Sequence, residues 1–197
     1  MNSREKILSA VIANQPDLVQ LPDLSSFERN APGSLEKFAE VLKLVGGLVY
    51  YVSSYAEVGK TLLSIHGENK KIISAVNEVA AYYDNEFLIA AKTADMQDVD
   101  IAILKGRFGV AENGAVWVTE KEMRQRALPF ICQHLAVIVD GDNIVATMHD
   151  AYDLISKTDY DFGSFIAGPS KTADIEQSLV IGAHGPRSMS VFVMRNQ

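Results

Sequence analysis

Two short segments late in the sequence set polar side chains beside glycine and proline turns. The first is Gly168-Pro169-Ser170-Lys171-Thr172-Ala173-Asp174-Ile175-Glu176, and the second is Gly182-Ala183-His184-Gly185-Pro186. Read locally, the run Phe165-Ile166-Ala167 enters a glycine turn, and a short helix is expected to begin near Thr172. Free N–H groups at a helix start, with the Ser170 and Thr172 hydroxyls beside them, make a natural anion site. The turn after that helix would bring His184 back toward the same anion. Ser or Thr at an N-cap and Asp174 in a first turn are equally what any helix start prefers. Asp174 would also repel an anion placed too close. Both readings stay open at this level.

The other reactive side chains are scattered. His66, His134, His149 and His184 show no HxxxH spacing and no clustering with Cys or Asp, so each is expected to be a structural hydrogen-bonding residue. Cys132 is the single cysteine. It can form no intramolecular disulfide, and no CxxC pair is present to hold zinc or an iron–sulfur cluster. The apolar run Pro129–Cys132 points to an inert buried thiol. Arg124 and Arg126 precede a strand and read as solvated charges. No GxGxxG follows a strand, and neither metal nor cofactor is expected.

These residues need elements to position them. Residues 3–13 place Ile7, Leu8, Val11 and Ile12 on one helical stripe, with Ser3 available as N-cap. Pro16, Pro22, Pro32 and Gly33 then break the pattern, which predicts a linker as far as residue 34. From there Leu35, Phe38, Leu42 and Val45 repeat at helical spacing, and Gly46-Gly47 ends the helix. Leu48–Val52 follows as a short buried strand. Ser54 and Glu57 have capping-box spacing before a helix carrying Val58 and Leu62. Lys71–Val76 and Phe87–Ala91 are further strand candidates. Phe108–Val118 holds two apolar segments around Asn113-Gly114, a dipeptide that supplies the positive φ of a tight hairpin. Leu135–Val139 reads as a buried strand, and Asp140–Asn143 turns the chain. Ile144, Met148, Tyr152 and Ile155 then align on a helix, and Ser190–Met194 closes as a strand. Alternating helices and short apolar strands predict an α/β fold, a mixed sheet layered by helices.

Composition bounds the partners. With 197 residues and 48% hydrophobic content, a substantial core needs neither disulfide nor metal. A net charge of −7 with no basic stripe argues against nucleic acid. No apolar run is long enough for a membrane span. The start Met-Asn-Ser-Arg-Glu-Lys does not read as a signal peptide, and a cytoplasmic location is expected.

The run GPSKTADIE with a downstream GxHGP resembles the C-terminal signature of the lactate utilization protein C family, whose domain is called LUD. Ala111-Glu112-Asn113-Gly114 stands where that family often has Ala-Glu-Thr-Gly, and the Ser-Arg-Glu-Lys-Ile-Leu start is also similar. The resemblance is firm from about residue 100 onward, and its domain is expected over 35–197 after an N-terminal helix and linker, 1–34. It implies a fold similar to the sugar-phosphate isomerase (NagB/RpiA) and coenzyme A transferase group. It also implies a non-redox component of a three-protein L-lactate oxidation system that works with iron–sulfur partner proteins and binds a small-molecule anion. Gly168, Ser170, Lys171, Thr172, Asp174, His184 and Gly185 are the expected ligand-binding residues. Coenzyme A transferases use a Glu beside such a turn as nucleophile, which makes Glu112 the candidate catalytic residue of an alternative, acyl-transferring enzyme. A third possibility is a small-anion or nucleotide-binding module without catalysis.

Overall fold

The structure is a computed structural model that describes residues 2–23, 32–68, 70–80, 96–173 and 179–195. The chain divides into two compact units, Met1–Ala31 and Pro32–Gln197. The first contains helix α1, Ser3–Ala13, whose N-cap is Asn2 rather than Ser3. The Asn2 side chain accepts from the Glu5 N–H while the Glu5 carboxylate accepts from the Asn2 N–H, a reciprocal capping box. The expected stripe Ile7, Leu8, Val11 and Ile12 is exposed.

The second unit runs α2 (Leu35–Leu44), β1 (Leu48–Val52), α3 (Tyr55–His66), β2 (Ile72–Ser74), α4 (Asn77–Ala80), β3 (Ile101–Lys105), β4 (Phe108–Val110) and β5 (Ala115–Thr119). It continues α5 (Glu120–Met123), α6 (Leu128–Ile131), β6 (His134–Asp140), β7 (Ile144–Val145), α7 (Met148–Ile155) and β8 (Gly163–Ile166). The last strands are β9 (Lys171–Ala173), β10 (Leu179–Ile181) and β11 (Ser188–Met194). Five of them form a wholly parallel sheet in the order β1-β11-β6-β3-β2. A second sheet, β7-β4-β5-β8, holds both antiparallel and parallel pairs. The expected mixture is therefore shared out between two sheets.

Strand alternation builds the layers. Along β6, Leu135, Val137 and Val139 face one core with Phe38 and Leu42 of α2 and with Val116 and Val118 of β5. Ala136 and Ile138 face the other, against Val58 and Leu62 of α3. Strands β3 and β11 divide in the same way, so the central strands are apolar on both faces, as a covered parallel sheet requires. A third cluster packs Ala151 and Ile155 of α7 on Phe108, Val110 and Trp117 of the small sheet.

Local expectations fare unevenly. α2 starts at Ser34, whose hydroxyl accepts from the Lys37 N–H. It ends as the glycine pair predicts, with Gly46 N–H bonded to Lys43 O and Gly47 N–H to Leu42 O, the two reversed bonds of a Schellman cap. β1 is an edge strand on which Val52 alone is buried. The Ser54 hydroxyl caps α3, but the Glu57 carboxylate turns to the N–H and hydroxyl of Ser53 instead of closing a box on Ser54. The hairpin loop spans four residues, 111–114, and only Gly114 has a positive φ, +67°. Asn113 contributes through its side-chain oxygen, which accepts from the Ala115 N–H. Ile144 lies on strand β7, because Thr147 and Asp150 form a capping box that starts the helix after it. The expected strand Phe87–Ala91 lies outside the described residues.

Candidate functional site

The clearest correction concerns the segment from Gly168. No helix begins at Thr172; Lys171–Ala173 is strand β9, paired antiparallel with β10. The backbone N–H groups that a helix start would gather at one point are instead spread along a strand, with alternate ones turned toward the partner strand. Ser170 N–H donates to Pro186 O, and Lys171, Thr172 and Ala173 pair in register with Ile181, Val180 and Leu179. The Ser170 hydroxyl donates to His184 O at 3.2 Å, and Gly182 N–H donates back to Ser170 O. The two motifs thus meet, as their proximity in sequence suggested, but they meet as mutually bonded turns. Asp174 lies outside the described residues.

What this pair of turns grips is the C-terminal turn of α2. A Cβ added to Gly168, at φ +72°, would stand 2.6 Å from Val45 O. The Lys171 ammonium donates to that same carbonyl, supplying a cation where the helix dipole presents negative charge. Three residues earlier on α2, the hairpin loop arrives: a Cβ on Gly114 would lie 2.7 Å from the Leu42 nitrogen. Both motifs therefore need glycine for close backbone approach to one helix end. Ser170, Lys171, Gly168, Gly185 and the His184 backbone are brought together, while the His184 imidazole and Thr172 side chain stay exposed.

Glu112 sits elsewhere, on the far side of its loop. Its carboxylate accepts from the Met148 N–H at 2.8 Å, and its own N–H donates to Ala146 O. It thereby satisfies a free donor at the first turn of α7, a position that favours negative charge. Cys132 is buried, and loss of solvent pushes its thiol up to about 12. It is no thiolate at neutral pH. Arg124 bonds Asn77 and Arg126 pairs with Glu120, so both serve local structure.

A cluster that sequence spacing did not foreshadow lies at the amino ends of the parallel strands. His66, ending α3, lies against His134 with ring centroids 4.3 Å apart and planes tilted by 34°. His134 Nδ1 lies 2.8 Å from Ser188 Oγ, and Asp100 beside them accepts from the Lys71 N–H and the Lys70 ammonium. Parallel register makes this inevitable: His134 pairs with Ser188 and with Ile101, the residue after Asp100. The available signal was a polar residue just before each of three apolar runs, which becomes a cluster only once strand order is known. Among the described residues no group of three His, Cys, Asp or Glu side chains is placed to hold a metal ion.

Burial lowers the pKa of both imidazoles, and for His66 the charge of His134 and then Lys70 act in the same direction. Lys70 and Arg187 lower His134 further, while Asp100 pulls both back up. The unfolded chain, with ordinary histidines near pH 6.5, then binds more protons than the native state just below that pH. Stability should hold above about pH 6.5 and fall as pH drops from there toward the folded values. Urea midpoints at neutral and mildly acidic pH check this. A His66→Gln, His134→Gln double variant should lose the slope, and an unchanged slope would assign it to other groups.

The LUD domain family model matches residues 35–194. Lactate utilization protein C of Geobacillus thermodenitrificans is 26% identical over 204 residues, covering 99% of this chain and 81% of that protein. The Geobacillus kaustophilus protein of the same name is 29% identical over 107 residues, but the match spans only 45% of its length. The Bacillus pumilus one is 33% identical across 35% of its length. A crystal structure of a DUF162 family protein from Deinococcus radiodurans superposes with a TM-score of 0.58. That superposition covers 81% of this chain and 95% of the other at 18% identity, so it bears on the fold alone.

Proposed function

The chain belongs to the LUD domain family, and we propose that it serves lactate utilization as a component that carries no electrons itself. The observation carrying this reading is its thiol inventory set beside relatives named lactate utilization protein C. Converting lactate to pyruvate removes two electrons, and among ordinary side chains only paired thiols take up two reversibly. Here one cysteine is present, and it is buried with its thiol pKa at about 12. The carriers then belong to partners, and cysteine-bound iron–sulfur clusters are the chemistry this chain lacks.

In this reading the protein supplies binding and assembly. Lys171, Gly168 and Gly114 act as fasteners on α2, and the exposed Thr172 hydroxyl and His184 imidazole are the side chains left to meet a small carboxylate. The test is reconstitution. Purified chain with L-lactate should not reduce an artificial acceptor, and reduction should appear when iron–sulfur partner proteins are added, with at least one of them co-purifying. Lactate-dependent dye reduction by the chain alone, or a flavin or cluster absorbance in it, would overturn the assignment. Separately, lactate should shift the His184 ring signals in NMR; unmoved signals at saturating lactate would remove the anion contact while leaving the subunit role standing.

A further inference from the structure

At the carboxyl ends of β3 and β6 a cavity of about 380 Å³ opens between the small sheet and α7, away from the motif turns and from the histidine pair. Ligands of parallel α/β sheets bind outside the carboxyl ends of the strands, and pockets of this size suit small organic molecules. Its wall is aromatic and apolar, made by Phe108, Trp117, Ile144 and Leu154, with Arg107 and Asn143 at the polar side.

The wall is held in place before any ligand arrives. Trp117 is almost fully buried, tilted against Phe165 at 4.6 Å between centroids and met edge-on by Tyr160 at 5.3 Å. Gly163 runs beneath its ring, where an added Cβ would lie 2.4 Å from the indole. Arg107 brings five N–H donors, and its recorded partner is Glu122 at 3.5 Å, the outer limit of a hydrogen bond. That carboxylate is already engaged by the Thr119 N–H and hydroxyl at the start of α5. Arg107 therefore has donors to offer.

We infer that this cavity binds a monocarboxylic acid with a bulky apolar or aromatic body, the carboxylate on Arg107 and the body against Phe108, Trp117 and Leu154. A guanidinium and a carboxylate match as a planar fork, and an aromatic wall rewards a flat or branched apolar group. Arg107 is the single cation among the lining residues, and the carboxylates of Glu122 and Asp142 lie on the same side of the cavity, so a ligand must bring as little charge as possible and use the remaining guanidinium donors. A phosphate dianion or polyphosphate would face those carboxylates with too little opposing charge. The inference is independent of the lactate reading, since it uses neither Ser170, Lys171 nor His184.

The chain reports on this site through its own fluorescence, because Trp117 is its single tryptophan. Phenylpropionate should change that emission saturably, whereas acetate (no body), phenylpropanol (no charge) and adenosine monophosphate (a dianion) should not. Arg107→Ala should weaken phenylpropionate about tenfold or more, the loss expected of a charge-assisted hydrogen bond. Leu154→Glu, at an exposed position on α7, should abolish binding by setting a like charge against the ligand. Circular dichroism and heat denaturation establish that both variants fold, and calorimetric titration confirms stoichiometry. No saturable response to phenylpropionate, equal binding of phenylpropanol or adenosine monophosphate, or an Arg107→Ala protein that binds like the parent would each overturn the proposal.

Discussion

Replacing Gly114 by alanine should destabilise the protein by about 3 kcal/mol, combining a left-handed backbone penalty of ~1–2 kcal/mol with overpacking of ~1–3 kcal/mol. The position is held at φ +67°, and the new methyl would sit 2.7 Å from the Leu42 nitrogen and 2.8 Å from its Cα. Both neighbours are backbone atoms of a capped helix, so neither can step aside as a side-chain tip would. In heat denaturation this corresponds to a midpoint lower by roughly 6–12 °C for a chain of this size. Gly67 provides the control. It also has positive φ, +81°, yet faces open space. With ψ at 177° it lies in an extended positive-φ region that only glycine enters freely, so its alanine variant should show a backbone penalty alone, roughly 1–3 kcal/mol. A Gly114→Ala loss no larger than the left-handed penalty of about 1–2 kcal/mol would mean that the contact with α2 contributes nothing.

Phe38→Ala should cost about 3–5 kcal/mol, the range for emptying a fully buried aromatic position. Phe38 has no exposed surface and belongs to the core shared by α2, the parallel sheet and the small sheet. Its ring lies so close to β4 that a Cβ on Gly109 would stand 2.9 Å from it, so the strand backbone is already at contact distance. Relaxation into the void is limited on that side. Because α2 is also the anchor for the Gly114 loop and for Gly168 and Lys171, the damage should spread. Amide exchange in the motif turns should accelerate along with the fall in the urea midpoint. A loss below about 1 kcal/mol would show that the site collapses without strain, against the range cited.

The sequence by itself determined whatever depends on neighbours along the chain. Helical spacing from Leu35 to Val45 and the glycine pair after it specify the body and the end of α2, since caps and periodicity act within a few residues. The apolar run Leu135–Val139 specified a strand buried on both faces, and one cysteine settled the thiol chemistry. The two adjacent motifs were enough to point to the LUD family.

Tertiary structure decided whatever depends on what lies opposite. Ser170, Lys171 and Thr172 carry side chains that suit a helix start or a strand equally. Pairing with Leu179–Ile181 and docking on Val45 select the strand, and a strand turns successive N–H groups to opposite sides, so they do not converge on an anion as a helix start would make them. Glu112 can be read locally as a nucleophile beside a turn, but the first turn of α7, 36 residues further on, supplies the N–H that occupies it. His66 and His134 show no spacing that could be read as a pair, because strand order and register, rather than sequence distance, bring them into contact. Arg107 and Trp117 share a cavity because the hairpin pairs Phe108, the residue after Arg107, with Trp117, and α7 adds Leu154 to the lining. Hydrogen-bond partners in a sheet are set by topology, so side chains that act across strands are the part of a site that local pattern leaves undetermined.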